Sequence, residues 1–185
     1  MVVEALPRLS LISGPARSGK SRWAEHLAIS SGMEVVYVAT GPLRADDREW
    51  QERLRLHRQR RPNHWLLREV GADLVPALQA LQVQQLALVD SLGTWVASLL
   101  EQDSVQWQAS VEGLLDTVRC GQGTLVVVGE ECGWGVVPPT AIGGLFRDRL
   151  GELQQRLAPL AGAAWLVLQG RALDLHRHAL PVPEL

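Results

Sequence analysis

The chain contains a single lysine, Lys20; its other seventeen Lys/Arg residues are all arginine. The compact ammonium that most proteins scatter over their surface is confined to one position, and every other permanent side-chain cation is a guanidinium. Only two cysteines occur, Cys120 and Cys132, without the spacing of a metal site or a redox pair. That excludes a disulfide scaffold and a zinc module and predicts buried or idle thiols in a reducing compartment. No apolar run approaches the roughly 18 residues a membrane span needs. The N-terminus lacks a basic region followed by a long apolar stretch, so a cytoplasmic location is expected. A net charge of −2 and a pI near 6.2 provide no bulk basic field, which argues against nucleic acid as a partner. Internal repeats and low-complexity segments are also missing.

What remains is an ordinary globular composition, 46% apolar and 21% charged over 185 residues. That length suits one domain, residues 1–185, with a tail from about residue 180 expected to be loose. The chain is organised around Gly14-Pro15-Ala16-Arg17-Ser18-Gly19-Lys20-Ser21, which satisfies G-x-x-x-x-G-K-[ST] in full. Leu9–Ser13 reads as a strand entering this loop, and residues 21–28 as a helix leaving it. Glycines let successive backbone N–H groups curl around phosphate oxygens, and the following helix adds the positive end of its dipole. Lys20 would then reach the outer phosphates, and the Ser21 hydroxyl would ligate Mg²⁺.

Further strands are predicted at residues 34–39, 65–70, 86–90, 124–128 and 164–168, each near-continuously apolar. Helices are predicted from Asp46–Asp47 to Arg58, over 72–81, from Ser91 onward, over 105–119 and over 142–157. Alternation of the two, with strands apolar on both faces, predicts an α/β fold of the P-loop NTPase, RecA-like type: a mainly parallel central sheet flanked by helices. In such sheets ligands bind at the carboxyl ends of the strands. That rule groups Gly14–Ser21, Thr40–Gly41, Asp90 and Gly129–Gly135 along one edge.

Asp90 closes an apolar strand, where a P-loop NTPase keeps an acidic group for Mg²⁺; the alternative is an N-cap for the next helix. His57 lies within Arg53-Leu54-Arg55-Leu56-His57-Arg58-Gln59-Arg60-Arg61-Pro62. On residue type alone it is a half-exposed histidine on an amphipathic helix whose arginines form a solvated face. A neutral imidazole among guanidinium groups is also what attack on a phosphate requires.

Several blocks together resemble a known family. They are the P-loop, Tyr37-Val38-Ala39-Thr40, the segment from Arg53 through His57, Arg58, Arg61 and Pro62 to Trp65 with Glu69 after it, and Val89-Asp90-Ser91-Leu92. Gly133-Trp134-Gly135-Val136-Val137-Pro138 with Phe146-Arg147-Asp148 completes the set. In this order, from about residue 9 to 168, they are similar to the bifunctional adenosylcobinamide kinase/adenosylcobinamide-phosphate guanylyltransferases of cobalamin biosynthesis. The resemblance implies a kinase step, in which GTP or ATP phosphorylates the hydroxyl of the aminopropanol arm of adenosylcobinamide. It implies a second step in which a histidine, by position His57, takes GMP from GTP as a phosphoramidate and passes it to the substrate phosphate. His64 is then structural. Nucleotide contacts are implied for the whole loop (Gly14, Pro15, Ala16, Arg17, Ser18, Gly19, Lys20, Ser21) and for Thr40, Gly41, Arg58, Arg61 and Glu69, with Ser21 and Asp90 on Mg²⁺. The implied partners are a corrinoid, a nucleotide and further copies of the chain.

Three departures stand out. Pro15 occupies the place of the family's second loop glycine and removes one backbone donor. Glu130-Glu131-Cys132-Gly133 stands where the family reads Asn-Glu-Val-Gly, and Ala141 and Gly144 stand where arginines follow the Val-Pro pair. Less positive charge beside a nucleotide is expected to weaken binding or one of the two activities. Competing readings are a plain small-molecule P-loop kinase in which His57 is incidental, and a degenerate nucleotide-binding homologue acting as a subunit. A GTP-regulated switch is disfavoured, because its Asn-Lys-x-Asp guanine reader needs a second lysine. Trp50 and Trp134 could contact a corrin or a subunit, although core packing is the commoner fate of tryptophan.

Overall fold

The computed structural model describes residues 6–42, 46–135 and 137–183, with the side chains of Glu49, Trp50, Arg53 and His57 outside that description. The strands are β1 (Leu9–Gly14), β2 (Glu34–Ala39), β3 (Leu66–Glu69), β4 (Gln85–Asp90), β5 (Thr124–Glu130), β6 (Ala163–Leu168) and β7 (Arg171–Asp174). The helices are α1 (Lys20–Ser30), α2 (Arg48–Arg60), α3 (Leu74–Gln79), α4 (Leu92–Ser98), α5 (Ser104–Cys120), α6 (Ala141–Leu157) and α7 (Leu175–His178). One sheet holds all seven strands in the order β3-β2-β4-β5-β1-β6-β7. Neighbouring strands from β3 to β6 run parallel, and β7 alone returns antiparallel on β6.

The continuous apolar runs follow from burial on both faces. Along β2, Val36 and Val38 enter one core while Val35 and Tyr37 enter the other; β4 and β5 split the same way. The first core is closed by α3 to α6, through residues such as Leu78, Trp95, Leu115 and Leu153. The second is closed by Ala24, Leu27 and Ala28 of α1. Each fully buried Val or Leu contributes about 1.5–3 kcal/mol of transfer free energy, so the two layers fix the sheet and with it the edge where the strands end.

Capping then determines where the helices start. Ser91, not Asp90, is the N-cap of α4, sharing a capping box with Thr94, so the N-cap expectation for Asp90 is corrected by one residue. Asp103 caps α5 by accepting from the Gln106 N–H, and Thr140 caps α6 by accepting from Gly143. Arg149 of α6 is buried, donates to the carbonyls of Leu99 (3.0 Å) and Gln102 (2.7 Å) and lies over the Trp107 ring. It thereby joins α6 to the end of α4 and the start of α5.

Four other expectations change. The helix expected over 72–81 is only Leu74–Gln79; Pro76 is accommodated in its first turn, where an amide would have no helical partner. Gly129 and Glu130, expected in a loop, continue β5 and pair with Ser13 and Gly14. Of the two expectations for the cysteines, buried or idle, exposure of both removes the first. The elements β7 and α7 had no sequence signal strong enough to register, being four residues each. Leu180 and Val182 are exposed and belong to no element. Among the described residues no helix is long and apolar enough to cross a membrane.

The ends of β2 and β4 are locked together by one hydroxyl. Thr40 is fully buried; its Oγ1 donates to the Ser91 carbonyl at 2.6 Å and accepts from the Ser91 N–H at 3.0 Å. Thr40→Val keeps the shape and removes one hydrogen bond from each backbone group, while Thr94 and the Trp95 N–H still serve them, so a loss of about 0.5–1.5 kcal/mol in unfolding free energy is expected from urea titration.

Candidate active site

The loop after β1 is shaped as an anion nest. Arg17 (φ 58°) and Gly19 (φ 103°) take left-handed backbone angles, which turn neighbouring amides toward the same concave side. Gly19 is also the N-cap of α1, so a side chain there would be strained at the position that launches the helix. At Gly14 the constraint is space, since an added Cβ would meet the Val167 carbonyl of β6 and approach Ser18 Oγ to 2.8 Å. From outside, the Gly170 N–H of the β6–β7 turn donates to the Ser18 carbonyl at 2.9 Å. Lys20 is buried, with its ammonium donating to the Pro15 carbonyl at 3.2 Å. Ser18 Oγ is buried and has no hydrogen-bond partner among the described residues.

Lys20 and Ala16 open into a cleft bounded by four strand ends and one helix. Gly41 and Ala39 come from the end of β2, Leu67 and Glu69 from β3, Asp90 from β4 and Glu130 from β5, while α2 and the residue just after it supply Leu54, Arg58 and Arg61. The residues predicted from sequence are therefore only partly brought together. Ala16, Lys20, Gly41, Arg58, Arg61, Glu69 and Asp90 share the cleft. Thr40 lies beneath it as the β2–β4 lock, and Gly19 faces a second hollow beside Arg22, Trp23 and Gly170. The backbone of residue 57 lies in α2, three residues after Leu54 and four before Arg61, while its imidazole and Trp50 lie outside the described side chains.

Tyr37, Ser91 and Thr94 line the cleft as well and were not singled out from sequence. Tyr37 could have been found, because strand alternation and its place three residues before the turn put a polar tip near the strand end. Its hydroxyl donates to Asp90 Oδ2 at 2.9 Å, and the Arg61 guanidinium stacks over its ring at 3.9 Å. Burial, followed by the Asp90 charge, holds the Tyr37 hydroxyl well above its ordinary pKa, so it stays a donor. Arg60 anchors the same helix end from the other side, donating through both nitrogens to the buried carboxylate of Glu25 on α1 at 3.1 and 3.2 Å. Arg58 meets Glu69 at 3.3 Å, an exposed pair of small energetic weight. His64 is exposed, as is Trp134, which therefore does not pack in the core.

The donor set suits Mg²⁺. Asp90 faces the same cleft as Lys20, and Ser21 lies in the first turn of α1. Among the described residues no cluster of three or more His, Cys, Asp or Glu forms a closed cage. Mg²⁺ in phosphoryl-transfer sites takes one or two protein oxygens and completes its shell with phosphates and water.

Glu130 differs from the other carboxylates. One oxygen is bonded by Ser91 Oγ and the other by the Gly93 N–H at 2.9 Å. Burial pushes the Glu130 carboxyl above the ordinary glutamate value and Asp90 adds to this, outweighing the opposing pull of Ser91, Lys20 and Gly93. Partial desolvation and the carboxylates of Glu130 and Glu131 likewise push the Cys132 thiol up, against the pull of Lys20, which disfavours the thiolate. A raised carboxyl contributes stability that is present below its unfolded value of about 4.5 and lost as pH rises through the folded value. Glu130→Gln should therefore gain thermal stability relative to wild type between about pH 4.5 and neutrality; melting curves across that range check the sign.

The chain matches the family model described as cobinamide kinase / cobinamide phosphate guanyltransferase over residues 10–175. It is 39% identical over 167 residues to the bifunctional adenosylcobalamin biosynthesis protein CobP of Pseudomonas aeruginosa, covering 89% of this chain and 95% of that one. The bifunctional adenosylcobalamin biosynthesis protein CobU of Salmonella typhimurium is 36% identical over 176 residues, covering 86% and 95%. Among solved structures, a Pyrococcus horikoshii OT3 protein superposes with a TM-score of 0.57 at 8% identity, over 94% of this chain and 88% of that one. A type III secretion ATPase of pathogenic bacteria gives 0.51 at 10% identity, over 95% and 59%. These two likenesses concern the fold alone.

Proposed function

Because this chain belongs to the cobinamide kinase / cobinamide phosphate guanyltransferase family, an enzyme family of kinases and nucleotidyltransferases, we propose that one cleft serves both transfers, with the P-loop and α2 dividing the work. The observation that carries this is the meeting of Lys20, Asp90, Arg58 and Arg61 in a single cavity. Three cationic groups and one acidic group, from three parts of the chain, converge there.

In the kinase step the loop amides of residues 14–21 and the Lys20 ammonium hold the phosphates of GTP or ATP, and Arg61, steadied on the Tyr37 ring, adds charge as the terminal phosphoryl group moves to the corrinoid hydroxyl. Mg²⁺, when held by Asp90 and the Ser21 hydroxyl, neutralises charge on the phosphates. Asp90 is itself oriented by the Tyr37 hydroxyl.

In the second step His57 is the nucleophile. Its imidazole nitrogen forms a bond to the α-phosphorus of GTP, the bond to pyrophosphate breaks, and the corrinoid phosphate then displaces the imidazole to give the GDP-linked product. Sequence spacing supports this choice, since residue 57 stands in α2 three residues after Leu54 and four before Arg61, which directly follows the helix, and both of these line the cleft. Glu25 holds Arg60 and so fixes the helix end that carries this face. Glu69 and Arg58 close the same side. The chain is proposed to act in the cytoplasm and to assemble with further copies of itself, which sedimentation of the purified protein would measure.

Purified protein incubated with Mg²⁺ and α-³²P-labelled GTP should acquire a label that is lost in acid, survives alkali and is absent from His57→Ala. That variant should retain phosphorylation of cobinamide. Label on His57→Ala, or its guanylyltransferase turnover, would remove the nucleophile assignment. Lys20→Ala should slow cobinamide phosphorylation by about 10²-fold or more, read as initial rate at saturating nucleotide.

A further inference from the structure

We propose that the hollow beside Gly19, Arg22 and Trp23 is the nucleoside subsite of the phosphoryl donor in the kinase step, distinct from the place where GTP presents its α-phosphate to His57. The inference rests on the reading of one cleft as the site of both transfers and adds to it where the rest of the nucleotide goes.

The two transfers attack opposite ends of one triphosphate chain. In the kinase step the γ-phosphorus reacts, so the terminal phosphate lies in the cleft with Lys20 and Asp90. The nucleoside is bonded to the far end of that chain and has to leave the phosphate loop on the side away from the cleft. In the guanylyl step the α-phosphorus reacts at α2, so the nucleoside enters the cleft with it and the pyrophosphate occupies the loop. One loop therefore holds the triphosphate in two senses, and only the first needs a nucleoside site outside the cleft.

The fold provides a hollow on that side. Strand β1, which feeds the loop, stands between β5 and β6. The cleft draws on the ends of β2, β3, β4 and β5. The hollow, of about 230 Å³, is lined instead by Val167 of β6, Ala172 of β7, Gly170 of their turn, and Gly19, Arg22 and Trp23. The two cavities share no lining residue, and consecutive residues of the loop divide between them, Lys20 facing the cleft and Gly19 the hollow.

The walls of the hollow are fixed. Leu168 pairs with Arg171, so Gln169 and Gly170 form a two-residue turn, and both take left-handed backbone angles (φ 50° and 75°), as a tight β-hairpin demands. The Gly170 N–H donates to the Ser18 carbonyl at 2.9 Å, which ties that hairpin to the phosphate loop. The Trp23 ring is held edge-on to Trp165, with centroids 5.1 Å apart.

Its chemistry suits a purine nucleoside that trails a phosphate. Val167, Ala172 and Trp23 supply an apolar wall for a flat ring. A Cβ on Gly19 would stand 3.5 Å from an Arg22 guanidinium nitrogen and 3.7 Å from the Gly170 Cα, so the guanidinium lies against the loop backbone where the α-phosphate end of the chain emerges. Arg22 has no ion pair among the described residues, and no carboxylate lines the hollow to repel a phosphate.

Two variants separate the two senses of binding. Ala172→Phe fills the hollow from the edge strand, and Arg22→Glu reverses its charge at an exposed position. With the full chain, cobinamide and Mg·GTP, each should raise KM for GTP in phosphorylation by about 10–100-fold. The GTP concentration that half-saturates GMP labelling from α-³²P-GTP should stay within about threefold of wild type. A phosphorylation KM within about threefold of wild type in either folded variant would overturn the assignment. So would a parallel rise in both GTP dependences, which marks one sense of binding for both steps. Where Ala172→Phe does not fold, Arg22→Glu decides alone. If wild type itself labels with GMP but does not phosphorylate cobinamide, the kinase reading fails first and the subsite falls with it.

Discussion

Burial of the central strands β1, β2, β4 and β5 on both faces is the constraint from which the rest follows. A strand whose two faces are both inside has no solvent-facing side on which to carry chemistry, so every functional group it contributes must sit at an end. Five parallel strands here deliver Gly14, Ala39, Glu69, Asp90 and Glu130 to one edge. The loop following β1 and the helix following β2 then add Lys20, Arg58 and Arg61 to what the strand ends begin. Thr40 secures the arrangement at depth: it bonds the residue after Asp90 through both its N–H and its carbonyl, so β2 and β4 cannot slide against each other without leaving buried polar groups unpaired.

The charged residues obey the same economy of position. Seventeen arginines could form a diffuse basic surface, yet those of α2 divide by partner. Arg55 pairs along the helix with Glu52, Arg60 reaches back to buried Glu25, and Arg58 and Arg61 turn to the cleft against Glu69 and the Tyr37 ring. The basic run that looked like a solvated face is thus partly an inward-directed one. Position within the helical turn decides which arginine does which, and composition could not have said so.

What was legible in the sequence was what short-range physics dictates. The phosphate loop, its flanking strand and helix, and the apolar strands of the parallel sheet all announce themselves through glycine placement and hydrophobic periodicity. The short antiparallel return through β7 did not, because four residues of mixed character carry no usable period. Tyr37 and Thr94 were missed because their roles depend on a partner more than fifty residues away. Glu130 was noticed as a misplaced charge. Only its surroundings, Ser91 and Gly93 arriving from the start of α4, turn it into a held carboxylate. Its extension of β5 was unreadable because glycine at 129 suggests a turn, whereas in the sheet that glycine leaves space for the Gln154 side chain.

The fit between Gly93 and Glu130 also restricts how this site can change over generations. A methyl group at position 93 meets the carboxylate in its present place, so enlarging residue 93 moves or replaces the side chain at 130. The two positions are therefore coupled in mutational space: the carboxylate keeps this seat only while residue 93 stays glycine.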